Sequence, residues 1–494
     1  MTARDWPGTR GLQFEEPVVF ELHGDADQGL TLDDVPDDLR GLELRTEPTG
    51  MRDVPEYRIV RHYTRISQWN YGIESGFFPL GSCTMKHNPR VNEDMANLSG
   101  FAWLHPEAPQ AWAQGAIEAL VTLQDWLSGI LGMADFTLQP CAGAHGEFAG
   151  LAMIRAYFQD RGEDHVRRKI LIPETAHGTN PASAALAGFE VVNLPPQAGA
   201  VMRPEDIAPH LGPDVAALML TNPNTLGVFE PHILEIAKLV DASGALLYCD
   251  GANTNAIMGQ AKPGDFGVDV IQLNLHKTFS TPHGGGGPGG GAVGVSERLR
   301  PYLPGPHPVR RPDGTYALDA DRPKSIGPVK SFYGHFGISV RALAYIMRLG
   351  RTGLAEASRR AVLNANYIRH QLQGTYDLPF DDASLHEVVF SDKRQKALGV
   401  SALDIAKGLI DRGFHPPTIY FPLVVSGALM IEPTETEDKP TLDLFIEAMR
   451  EIAELAEAGR ADELTAAPVN PIRKRLDEAQ AARNPRLRWQ AATA

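Results

Sequence analysis

Lys277 stands in an unusual place for a lysine. It closes a short apolar run, Val268 to Leu275, and is followed at once by Thr278, Ser280, Pro282 and a glycine-rich stretch to Gly291. A solvated surface lysine needs no such stiff setting. An amine that must sit at a fixed point beneath a planar ligand does. Three further groups precede it, each next to a strand-like run. Asp250 follows Leu246–Cys249, and a carboxylate there is costly to bury unless a positive group meets it. His177 follows Lys169–Ile172, where an imidazole can lie flat against a ring, with Thr179 and Asn180 as hydrogen-bond donors. The small-residue segment Gln139 to Glu147 runs straight into a helical pattern, so its backbone N–H groups and the helix N-terminus can receive an anion.

Each group also has an ordinary explanation. A tight loop before a helix is often only a turn, a lone histidine is often a satisfied loop residue, and Asp250 can cap the next helix. Gly284–Gly291 reads either as a linker or as a close-packed turn before Ala292–Val295. The succession is what carries weight: anion loop, ring-stacking histidine, strand-end carboxylate, lysine. Those are the handles of pyridoxal phosphate (PLP), with Lys277 as the Schiff-base residue and Asp250 facing a protonated ring nitrogen. A Schiff-base lysine must be neutral during exchange, and burial or a nearby cation lowers its pKa. His276 and His283 are candidates for that tuning or for a phosphate contact. Glu147, an unfavourable neighbour for phosphate, is expected to cap the helix or face away.

Such residues need a scaffold. Strand-like runs at 169–172, 190–194, 215–220, 246–249 and 268–273 alternate with helical runs at 146–160, 181–187 and 231–243. That pattern predicts an α/β fold with a mostly parallel sheet, whose ligands bind at the carboxyl ends of the strands. Ile117, Leu120, Leu123, Leu127 and Leu131 give one face of a helix that Gly132 can end. After residue 335 the reading is a smaller α+β region: helices 337–349, 353–372, 402–412 and 443–458, with strands at 386–390 and 423–425. The expected division is an N-terminal arm and active-site loop (1–90), a large α/β domain (91–335), a small domain (336–465) and a basic tail (466–494). Residues 72–89 combine loop formers with Phe77, Phe78, Leu80 and Met85, which predicts an ordered loop against a core.

With 494 residues, 43 % hydrophobic and 22 % charged, the chain has the composition of a globular protein with a large core. A formal net charge of −15 argues against nucleic acid as the main ligand. The basic stretch Ile472–Trp489 reads either as a solvated tail or as a docking surface for an acidic partner. No run is long enough to span a bilayer and no apolar leader is visible, so a cytoplasmic location is expected. Three cysteines, none in Cys-x-x-Cys spacing, make no disulfide framework, and no metal site is expected.

Several long stretches resemble one family. Ala176–Ser183, Thr221–Gly227, Asp250–Asn253, His276–Gly289, Gly81–Pro89, Pro417–Leu423 and Leu429–Glu437 look like the glycine decarboxylase P-protein of the glycine cleavage system, over roughly residues 60 to 450. The resemblance implies the aspartate-aminotransferase fold (PLP fold type I). It implies PLP on Lys277, with Asp250 at the pyridine nitrogen, His177 on the ring, and Ala142, Gly143 and Ala144 near the phosphate. Thr179, Asn222, Asn253 and His276 are further expected cofactor contacts, and Ser82, Thr84 and His87 are expected to line a substrate channel. Lys277 and His177 are the expected catalytic pair. The length matches the form of the family called subunit 2. That form implies a subunit 1 partner, two copies of each, and a lipoylated H-protein that takes the aminomethyl group after glycine loses CO2. Another fold type I enzyme acting on a small amino acid, such as an aldolase or a sulfur-removing lyase, and a non-catalytic scaffold are the alternatives.

Overall fold

A computed structural model describes residues 16–22, 41, 54–195, 199–284 and 289–490. The acidic patch Asp33–Asp38, most of the expected N-terminal arm and residues 285–288 of the glycine run lie outside them. Seven strands form the main sheet: β1 (Asp135–Thr137), β2 (Lys169–Pro173), β3 (Glu190–Leu194), β4 (Val215–Thr221), β5 (Leu246–Asp250), β6 (Val270–Asn274) and β7 (Gly291–Val295), in the order β1-β7-β6-β5-β4-β2-β3. Strands β3, β2, β4, β5 and β6 are parallel, and β7 runs antiparallel between β6 and β1.

The apolar runs become central strands because both faces are covered. Leu218, Leu247 and Ile271 join one buried cluster, while their neighbours Ala217, Leu246 and Val270 join the other. The first cluster receives Leu123, Leu127 and Leu131 of α1 (Gln114–Leu131) and Ile236 of α4 (Ile233–Ala242). The second receives Leu151, Ile154 and Phe158 of α2 (Gly143–Asp160) and Ala184 of α3 (Thr179–Leu186). Helix α1 stops at Gly132, whose φ of 74° lets its N–H return to Ser128 O at 2.8 Å.

The long helix α5 (Phe336–Leu372) leads out of this layer and breaks at Gly350, φ 58°, between the two helices expected there. After it come β10 (Val388–Ser391), β11 (Thr418–Ile419) and β12 (Ala428–Ile431), an antiparallel sheet of order β10-β12-β11. The intervening β8 (His307–Arg310) and β9 (Tyr316–Asp319) form a hairpin of their own. Helices α6 (Ala402–Asp411) and α7 (Lys439–Glu457) close the small sheet over Phe390, Leu409, Phe445 and Ile452. One expected strand is corrected. Leu423–Val425 lies in the turn between β11 and β12, with Leu423 86 % exposed. The pairing strand starts at Ala428, after Gly427 turns the chain at φ 61°.

The loop 72–89 joins both sheets. Phe77 packs edge-on against Phe445, ring centres 5.0 Å apart, inside the small core. Leu80 bridges Ile431, and the Gly81 N–H donates to Met430 O at 3.2 Å. A few residues later Lys86 reaches Thr278 beside the large sheet. No helix among the described residues is long and apolar enough to cross a membrane.

Candidate active site

The carboxyl ends of β2, β4, β5 and β6 and the start of α2 converge on a cavity of about 110 Å3. Lys277, Asp250, His177, Thr179, Gly143, Ala144, Asn253 and Ser82 all line it. Lys277 reaches it from a single helical turn, Leu275–Thr278, that follows β6 directly. Asp250 ends β5 and is buried. Asn180 Nδ2 donates to its Oδ2 at 3.0 Å, the Ala252 N–H to its Oδ1 at 3.0 Å, and Gln272 Nε2 also to Oδ1. These donors are neutral, and no ion pair to Asp250 occurs among the described residues. Its charge is therefore oriented and uncompensated, the condition for meeting a cationic ring nitrogen.

At the opposite side, α2 presents its N-terminus. The amides of its first turn have no intrahelical acceptor, and there is no room for larger side chains. A Cβ on Gly143 would stand 2.6 Å from the Asn274 amide. Buried polar atoms without partners also surround the cavity: Asn274 Oδ1, Asn253 Oδ1, Gln272 Oε1 and Glu147 Oε2. Unsatisfied groups so concentrated mark a surface made for a polar occupant. An aromatic ring carrying an anionic group at one end and a basic nitrogen at the other fits this donor and acceptor set.

Glu147 departs from expectation. It neither caps α2 nor faces away: it is 3 % exposed, lines the cavity and accepts the Thr179 hydroxyl at 2.7 Å. It lies four residues after Gly143, just beyond the first turn, and a helical side chain there leans back toward that end of the helix. Burial, reinforced by the Asp250 charge, pushes its carboxyl up to about 7. The same Thr179 hydroxyl lies 2.9 Å from His177 Nδ1. Burial and then the Lys277 charge lower the His177 pKa, so its ring is neutral and borders Phe421 at 5.3 Å.

A second, larger cavity of about 870 Å3 adjoins, lined by Cys83, Met85, Ala142, His276 and His283 among others. Burial pushes His276 down to about 3 and His283 to about 4, with the Lys277 charge contributing to both. The two imidazoles meet edge-on at 4.9 Å. Cys83 is driven up to about 11 by burial and is a thiol, not a thiolate. The other expected site residues divide. Ser82 enters the smaller cavity, but Thr84 is turned onto Glu432, with 2.6 Å from its hydroxyl to Oε1. His87 lines neither cavity, and its N–H donates to Thr436. Asn222 braces the Glu230 N–H at 3.0 Å behind the wall.

Comparison with known proteins identifies the family. A family profile described as "Glycine cleavage system P-protein" matches residues 24–307, and one described as "Glycine dehydrogenase, C-terminal domain" matches 357–474. A Bacillus licheniformis protein named "Probable glycine dehydrogenase (decarboxylating) subunit 2" is 52 % identical over 96 % of this chain and 99 % of its own. An Exiguobacterium sibiricum protein of the same name is 56 % identical over 90 % of each. The chain belongs to the glycine cleavage system P-protein family. Among solved structures, an inhibitor-bound glycine decarboxylase (P-protein) superposes with TM-score 0.69 at 19 % identity, covering 85 % of this chain and 93 % of that one. A Thermus thermophilus aspartate aminotransferase gives 0.57 at 15 % identity, covering 76 % and 99 %. At these identities the superpositions establish the fold, that of the fold type I PLP enzymes.

In this P-protein chain, two supporting residues were invisible in the sequence. Gln272 sits within β6 and reads as an interior strand residue, yet it orients Asp250. Lys86 is 3 % exposed, and its amine contacts Asn255 Oδ1, Thr278 O and Glu435 Oε1, each at 2.8 Å. The only local hint was a lysine inside an apolar-rich loop.

Proposed function

We propose that this chain is the PLP-bearing subunit 2 of a cytoplasmic glycine decarboxylase. It removes CO2 from glycine and passes the aminomethyl group to the lipoyl arm of an H-protein, in an assembly of two copies each of subunits 1 and 2. The observation that carries the reading is the convergence on one cavity of the Lys277 amine, an uncompensated Asp250 carboxylate, the His177 ring and the free amides of α2. When bound, the cofactor supplies an electron sink for the pair left behind as CO2 departs. Lys277 holds it in place. Asp250, fixed by Asn180, Ala252 and Gln272, keeps a proton at the ring nitrogen. His177 would cover one face of the ring, and the Gly143 and Ala144 amides would donate to the phosphate. His276 and His283, neutral at physiological pH, add no positive charge beside the Lys277 amine. Glu147, at about 7, can hold or release a proton within the cavity. The larger cavity leaves an approach for a long flexible arm. Neither a scaffold nor an enzyme with a closed site needs this combination.

The test is exchange of labelled bicarbonate into the glycine carboxyl, with subunit 1 and lipoylated H-protein present. Exchange is expected with the wild-type chain and not with Lys277→Ala. The variant should also lose the visible absorbance of the bound cofactor. Absence of exchange in the complete wild-type mixture refutes the decarboxylase reading. Absence of the absorbance band refutes the cofactor.

A further inference from the structure

Behind Ser82, on the side away from the large sheet, three ionisable side chains are sealed from solvent. His386, Glu387 and Glu432 are each 0 % exposed, and one nitrogen or oxygen of each lies within 4.8 Å of the others. Glu432 spends both oxygens on Thr84: Oε2 accepts the N–H at 2.9 Å and Oε1 the hydroxyl at 2.6 Å. Glu387 Oε2 accepts the Ser82 N–H at 2.9 Å. Glu387 Oε1 and both nitrogens of His386 have no partner. His386 Nε2 stands 3.8 Å from Glu387 Oε1 and 3.9 Å from Glu432 Oε1. The turn they hold is strained, with Ser82 at φ 62° and Thr84 at φ 49°. Those conformations persist only when their surroundings over-determine them.

Two carboxylates this close cannot both stay ionised out of water without a positive charge between them. The groups facing Glu387 are His386, Glu432, Lys277 and Cys83. Burial keeps His386 neutral and Cys83 a thiol. Lys277 belongs to the cavity on the other side of Ser82. Of the two carboxylates, Glu432 has the fuller set of donors, as an anion needs. Glu387 has one donor and one free oxygen, as a carboxylic acid needs for its O–H. We propose that Glu387 is a positioning residue kept as a neutral acid: its proton, on the oxygen that faces His386, lets it sit beside Glu432 and seat the strained Ser82–Cys83–Thr84 turn against the Lys277 cavity. A second charge at Glu387 repels Glu432 and unseats the turn, so the cavity wall depends on one buried proton. The claim about the proton is independent of the cofactor. Only its consequence for the cavity rests on the proposed PLP site.

Glutamine tests this directly. In Glu387→Gln the carbonyl oxygen still accepts the Ser82 N–H, and the amide N–H replaces the acid O–H. Such a swap is neutral for an acid and damaging for an anion. Infrared difference spectra of wild type minus E387Q are recorded at about pH 8.5, above the value of about 7 to which burial raises Glu147 and Glu437. They should show a carboxylic-acid C=O band in the wild-type chain. The E387Q variant should bind PLP within about twofold of wild type, whereas Glu387→Ala, which drops the Ser82 anchor, should weaken it about tenfold or more. Loss of the band, or equal damage from Gln and Ala, overturns the proposal. So does a stoichiometric metal ion in elemental analysis of the purified wild-type chain, because a cation would then supply the charge assigned to the proton. If neither wild type nor variant binds PLP, the cofactor reading fails, while the infrared band still decides the proton.

Discussion

Replacing Lys86 with methionine should cost more stability than any surface lysine could. The amine is buried among four oxygens: Asn255 Oδ1, Thr278 O, Glu435 Oε1 and, at 3.1 Å, the Tyr345 hydroxyl. Burial opposes its charge, but the Glu435 and Tyr345 contacts outweigh burial and leave its pKa raised. Methionine keeps the volume and removes only the charge and the donors. Glu435 then stays buried with the Tyr345 hydroxyl at 3.1 Å and the Asn255 amide at 3.4 Å as its remaining donors. Breaking one side of a buried pair costs about 3–5 kcal/mol, and the two surviving donors put this case near the lower end. An unfolding entropy of about 2.1 cal/mol/K per residue over 494 residues makes about 1 kcal/mol per degree, so the melting midpoint should fall by roughly 3–4 °C. Scanning fluorimetry at fixed protein and cofactor concentration measures it. The double variant Lys86→Met with Glu435→Gln removes the stranded charge and should recover a good part of the loss. An unchanged midpoint for K86M, or a double variant no better than K86M alone, would refute the claim that this ion pair fastens the loop. Because Lys86 also holds Thr278 O, next to Lys277, the cofactor absorbance should weaken together with the midpoint.

Three further outcomes follow, two from the site and one from the basic tail. Glu147 is raised from 4.5 to about 7, so its protonated form favours the folded chain; that contribution is complete below 4.5 and is lost as pH rises through about 7. Glu147→Gln should therefore flatten the fall in melting midpoint of the cofactor-free chain between those values, and an unaltered slope would place the group outside the cavity. Gly143→Val should abolish cofactor absorbance while the far-UV spectrum stays native, since the added Cβ alone meets the Asn274 amide at 2.6 Å; normal PLP loading would remove α2 from the phosphate site. The basic tail is partly pinned, Arg475 to Asp404 at 2.7 Å and Arg473 over Trp69 at 5.8 Å, while Arg483, Arg486 and Arg488 are exposed. Changing those three to glutamate should raise KM for H-protein about threefold or more at low salt, with KM for glycine unchanged; an equal KM for H-protein makes the tail a solvated face.

Which of these residues could be read beforehand follows from the range of their interactions. Asp250, His177 and Lys277 were legible because their chemistry is announced locally: a charged or aromatic polar group where an apolar run stops. The same local signal located β2 to β6 and, through strict three-and-four spacing, α1. Partners were not legible, because pairing is decided by the fold. Lys86 and Glu435 lie 349 positions apart, and Ser82 and Glu387 are 305 apart. Nothing near either member announces the other. Glu147 departs from its expected place for a related reason. Repulsion from phosphate is a pairwise argument, and it leaves out the Thr179 hydroxyl that donates to Glu147 in the cavity and the burial that makes its neutral form accessible. The strand expected at Leu423–Val425 failed differently: its apolar composition suits a strand, but the turn between β11 and β12 takes up those residues before the chain enters β12 at Ala428. The loop 72–89 shows both limits at once. Its apolar residues foretold that it would be ordered, yet its work depends on what it meets. Phe77 enters one core, Lys86 reaches the lysine-bearing turn, and Ser82 and Thr84 hang on two buried glutamates between them. A loop fixed at three points, each on a different element, holds the small sheet at a set distance from Lys277. The cavity is thereby defined by long-range contacts even though most of the groups that would touch the cofactor are announced one by one along the chain.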